Sequence, residues 1–140
     1  MTDVIEYVHL RPYQALPERA AAPYKALIVA EAACRPEWRQ QVADWIVATG
    51  CIYAMSCGVD GGEWEDAVDL AHNERFNFQD SPDDQFVMTT RHDTLEDAIW
   101  FTKYAAHHPA VELPLTTMLH VADTADEHRL RAAYDSSPPS

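Results

Sequence analysis

Apolar residues along this chain fall into two alternating patterns. Short continuous runs, apolar on both faces, occur at Tyr24-Lys-Ala-Leu-Ile-Val-Ala-Glu31, Cys51–Cys57, Gln85–Thr90 and Leu115–Val121. Runs of this length and composition predict buried strands rather than helices. Between them lie stretches with apolar positions three and four apart, the spacing of one helix face. These are Trp38, Val42, Trp45, Ile46 and Thr49; Trp64, Ala67, Val68 and Ala71; Leu95, Ala98, Ile99, Thr102 and Ala106; and Leu130, Ala133 and Tyr134. Pro36 sits near the first helix start, and Gly50 ends that helix in a conformation glycine tolerates best.

The remaining starts carry capping patterns: Asp60-Gly-Gly-Glu63, Thr94-Leu-Glu-Asp97 and Thr124-Ala-Asp-Glu127. In the first, Asp60 is expected at the N-cap with Glu63 reaching back to its amide. A loop rich in Asn, Asp, Ser and Pro spans about residues 73–84. Strand–helix alternation of this kind predicts an α/β three-layer sandwich with a mainly parallel sheet of about four strands, flavodoxin-like or Rossmann-like. Val4–Leu10 is a candidate extra edge strand. The organisation expected is a single domain, with residues 1–23 as an N-terminal extension, 24–134 as the core and 135–140 as a flexible Ser/Pro tail.

Charge adds the second constraint. Residues 60–97 carry twelve carboxylates against two arginines, so they hold −10 of the chain's net −13. Residues 1–40 are neutral, with five Lys/Arg and five Asp/Glu. No basic footprint for nucleic acid is visible. The N-terminus lacks a basic stretch followed by an apolar core, and no apolar run approaches the ~18 residues that span a membrane. Three cysteines make a poor disulfide framework, so a reduced, cytoplasmic setting is expected.

The chemistry-bearing residues are scattered in sequence but share one feature of an open parallel sheet, whose ligands bind beyond the carboxyl ends of the strands. Glu31 and Cys34 follow the first core strand, Cys57 and Asp60 the second, His92 the third, and His120 the fourth. Cys51 lies at the opposite end of its strand, about 20 Å from Cys57 at ~3.3 Å per residue. Glu31, Cys57, His92 and His120 are therefore the catalytic candidates, as a Cys–His pair or as an acid–base pair of Glu31 with His92. No nucleophile elbow accompanies them. Cys34, Cys57, His92 and His120 are zinc-type ligands but lack any tight ligand spacing, so no metal is expected. The Gly58–Gly62 turn carries neither dinucleotide nor P-loop glycine spacing, and carboxylates surround it, so no cofactor is expected.

The acidic residues admit two readings. A solvated face explains them without function. A docking face for a basic protein explains them with one, since such fields speed association. On the second reading Asp66, Asp69, Asp80, Asp83 and Asp84 are the partner-binding residues, and the chain is a non-catalytic acidic binding protein of immunity or inhibitor type. The alternative is a small enzyme or ligand-binding domain with its cleft at the strand ends. Trp100, Phe101 and Tyr104 broaden one helix beyond what its core stripe needs, which leaves a homodimer contact or packing against the N-terminal extension open.

The stretches Asp44–Met55 through Gly58, Trp64–Asp69, Phe86–His92 and Leu95–Phe101 resemble a family of small bacterial proteins that is a domain of unknown function. The resemblance covers about residues 24–122. It implies a bacterial, single-domain α/β protein and supplies no catalytic residues.

Overall fold

The computed structural model describes residues 4–139. It contains a single sheet of five parallel strands: β1 (Val4–Leu10), β2 (Tyr24–Ala30), β3 (Cys51–Gly58), β4 (Met88–His92) and β5 (Leu115–Val121). Their order across the sheet is β1-β5-β2-β3-β4. The candidate edge strand is thus a full member, paired with β5 from Val4 opposite Leu115 to Leu10 opposite Val121. Five strands replace the expected four.

Four helices cover the two faces: α1 (Pro36–Ala48), α2 (Gly61–Arg75), α3 (Leu95–Tyr104) and α4 (Glu127–Ser136). Alternation along each strand divides the core. Tyr24, Ala26, Ile28 and Ala30 meet Trp38, Val42 and Ile46 of α1 and Trp64 and Val68 of α2. Leu27 and Val29 point the other way, against Ala98 and Ile99 of α3 and Leu130 and Tyr134 of α4. All of β2 is buried, which is why its sequence shows no alternation. Residues 11–23 lie along α1. The indoles of Trp38 and Trp45 donate to the carbonyls of Gln14 and Pro17, at 3.2 and 2.9 Å.

Three local expectations change. Asp60 occupies the N-cap of α2, but at φ 55° its carboxylate makes no capping bond. The tight turn out of β3 forces this left-handed backbone, and Asp60 Oδ2 lies 3.8 Å from Arg39 Nη1 instead. Gly58, at φ 91°, needs the same freedom, because a Cβ there would stand 2.0 Å from the carbonyl oxygen of Ala30. The third core strand begins at Met88 rather than Gln85. Residues Asp83–Gln85 form a 3-10 turn, which leaves Phe86 exposed while Val87 is buried. The last helix starts from Asp126 rather than Thr124, without a side-chain cap, so only Thr94 behaves as its pattern suggested, accepting from the amide of Asp97. The last turn of α4 and the segment after it are tied to α3, with the carbonyls of Tyr134 and Asp135 and of Ser137 and Pro139 accepting bonds.

Candidate functional site

The loops leaving β2 and β5 run to opposite faces of the sheet, to α1 and α4 respectively. That divergence opens the switch point of a parallel sheet between these two neighbours. Glu31 follows β2 there, and His120 ends β5. His120 is fully buried, and its Nε2 lies 2.6 Å from Glu31 Oε1. Its Nδ1 lies 2.7 Å from the hydroxyl of Tyr7 on β1. Arg129, on α4, donates to Glu31 Oε1 at 2.6 Å and to Asp126 Oδ2 at 2.7 Å. The amide of Asp126 donates to the Tyr7 oxygen at 3.0 Å.

Donor and acceptor roles follow from these partners. The carboxylate can only accept, so His120 carries its proton on Nε2 and Nδ1 accepts from Tyr7. Each ring nitrogen of His120 then serves one neighbour. Burial alone would push the Glu31 carboxyl up, but hydrogen bonds from His120 and Arg129 outweigh it and hold the carboxyl below its ordinary range. Burial raises Tyr7 above the usual phenol value, so its proton stays in place at neutral pH. The network joins β1, β5, β2 and α4, which makes it a clasp before it is anything chemical.

The other candidates are placed differently. His92 does not reach Glu31: β3 lies between their strands, and two strand spacings amount to about 10 Å. His92 bonds instead to Asp97 Oδ2 at 2.7 Å and to Thr90 Oγ1 at 2.8 Å, with the Phe101 ring 4.9 Å away. Cys57 is the register neighbour of His92. Its thiol nevertheless points to the carbonyl of Ile28 at 3.7 Å, and burial pushes it up to about 12. No reactive thiolate arises there. Cys34 lies with Arg39 and Asp60 as its charged neighbours, and burial raises it too. Among the described residues, no three His, Cys, Asp or Glu side chains gather as a metal ion requires.

The acidic surface is a second candidate. Asp66, Asp80, Asp83 and Asp84 are exposed. Asp69 is half-buried and accepts a 2.6 Å bond from Thr89 Oγ1, which ties α2 to β4 and commits that carboxylate to the fold. The loop carrying the others is well tethered. The ring of His72 packs against Phe76 and Phe86 at 5.2 and 5.3 Å, and His72 Nε2 lies 3.2 Å from Ser81 Oγ. His108 Nε2 donates to the Phe86 carbonyl at 2.8 Å. On this loop Phe78 is 68% exposed and Phe86 48%. Neither ring was among the expected binding residues, although phenylalanine inside so polar a loop is the signal that could have found them. Of the expected aromatic face, Phe101 packs against Tyr53, whereas Trp100 stays partly exposed.

The architecture defines a parallel, single-sheet α/β domain with no helix, among the described residues, long and apolar enough to cross a membrane. Within that class the chain belongs to a specific family: residues 5–137 match the family described as Domain of unknown function (DUF7684). No curated protein and no solved structure matches the chain.

Proposed function

We propose that this is a non-catalytic acidic protein of the cytoplasm that docks a basic protein partner, in the manner of immunity or inhibitor proteins. The observation that carries the reading is the loop of residues 76–86. It exposes two phenyl rings beside Asp80, Asp83 and Asp84, and it is held in shape by His72 and His108. Aromatic anchors supply most of the energy in protein interfaces, and a charged surround supplies orientation and rate. A pre-shaped loop also lowers the ordering cost of association. Asp66 extends the field along α2, while Asp69 contributes charge but is held by Thr89.

Replacing Asp80, Asp83 and Asp84 together by Asn is expected to weaken partner binding about tenfold and to flatten its salt dependence. Affinity unchanged within about twofold would end the proposal.

A second reading, a ligand site at the strand ends, draws on the meeting of Glu31 and His120 at the switch point. It weighs less because the meeting groups already serve one another: Glu31 Oε1 accepts from His120 and Arg129, and His120 accepts from Tyr7.

A further inference from the structure

The outer edge of α3 and the segment that follows α4 fit one another as receptor and ligand. Glu96, Trp100 and Tyr104 stand four residues apart on one helical stripe, with Lys103 beside them. Ser137, Pro138 and Pro139 run along this stripe from its C-terminal end towards its N-terminal end. Lys103 Nζ and the Tyr104 hydroxyl donate to the Ser137 carbonyl at 3.1 and 2.7 Å. The Trp100 indole donates to the Pro139 carbonyl at 3.1 Å. The Trp100 and Tyr104 rings form a tilted pair with centroids 6.2 Å apart.

This is the chemistry by which aromatic grooves hold polyproline II chains. Such chains make no internal hydrogen bonds, so their carbonyls are free for ring N–H and O–H donors. The tail fills the groove incompletely. A cavity of about 370 Å³, lined in part by Leu95, Ile99 and Ala133, flanks Pro138 on one side. Another of about 510 Å³, lined by Thr94, Glu96, Asp97 and Trp100, flanks it on the other. The second lies where a ligand continuing past Pro139 would run, and its Glu96 and Asp97 carboxylates favour a cation there.

We infer that the α3 edge is a docking groove for a proline-rich segment of a partner protein, with a basic residue just C-terminal to a Pro-Pro pair, and that the chain's own Ser137–Pro139 segment covers it in competition. The groove is separate from the acidic loop, so docking at either can fail alone. The geometry accounts for the three donors, for the incomplete filling and for the acidic end of the groove together.

The test uses the full chain and a synthetic peptide, SSPPSR, followed through the Trp100 indole N–H resonance, which the Trp100→Phe spectrum assigns. Saturable shifts with a dissociation constant of about 1 mM or tighter are expected. Replacing Pro138 and Pro139 by Gly should tighten peptide binding about threefold or more, because the competing segment loses its preformed shape. Trp100→Phe keeps an aromatic ring but loses the donor, and should weaken binding about fivefold, followed in this variant through the Tyr104 backbone amide resonance. Glu96→Gln with Asp97→Asn should abolish the preference for SSPPSR over SSPPSE. The inference is overturned if the resonance does not move at several times the peptide concentration above, in both the wild type and the tail variant. It is equally overturned if the control peptide SSGGSR binds as well.

Discussion

The carboxyl edge of the sheet and the loop after α2 are built from the same polar residue types and use them in opposite ways. At the switch point of the edge, the polar groups meet partners from distant parts of the chain: Glu31 with Arg129, His120 with Glu31, Tyr7 with His120. On the loop, Asp80, Asp83 and Asp84 face solvent, and it is His72 and His108 that hold the loop in place. A charge engaged inside the protein stabilises the fold and has little left to offer a ligand. A charge standing free on a fixed loop adds nothing to folding and can act only on something outside. The difference separates a structural clasp from a recognition surface, although composition makes the two look alike.

The largest effect should come from breaking the clasp. His120→Ala removes a fully buried ring and strands the partners on both sides, so a loss of about 3 kcal/mol is expected in urea unfolding. A loss under about 0.5 kcal/mol, the scale of an ordinary surface change, would show that the network does not hold the sheet. Acid then sharpens the contrast. Glu31 is held below its unfolded value of about 4.3, so its contribution is complete above that pH and disappears as pH falls through the lower folded value. Wild type should therefore exceed Glu31→Gln in stability at pH 7, and the gap should narrow towards pH 3. A gap that stays constant would mean the carboxylate charge plays no part.

The smallest test compares two aspartates on one helix. Asp69 accepts from Thr89 and Asp66 meets only solvent. Asp69→Asn should cost about 1 kcal/mol, and Asp66→Asn should stay within about 0.5 kcal/mol. Equal effects would remove the distinction between engaged and free acid on α2.

How far this contrast was legible beforehand depended on the range of each interaction. The core strands and helices follow from local periodicity, and so did β1 as a candidate, because seven residues suffice to show a strand. Strand order did not, since nothing local says that β5 inserts between β1 and β2. For that reason Glu31 and His120 were both recognisable as strand-end residues, yet Glu31 was matched to His92 rather than to His120. Tyr7 and Arg129 escaped notice for the same reason: they lie 113 and 98 residues from the side chains they touch. Asp60 failed differently, because a cap needs backbone geometry as well as residue type, and the turn after Gly58 denies it. The acidic loop was legible as charge. Phe78 already lay within that loop, whereas Phe86 joined it only because β4 starts at Met88.

The most direct test of the docking account is a paired capture from native lysate. The wild type and a variant carrying Asp80→Asn, Asp83→Asn, Asp84→Asn and Phe78→Ala are compared at low and high salt, after their unfolding curves have been shown to coincide. The account expects a basic protein that the wild type retains at low salt and releases at high salt, and that the variant fails to retain. Retention of the same proteins by both, with the same salt dependence, would contradict it.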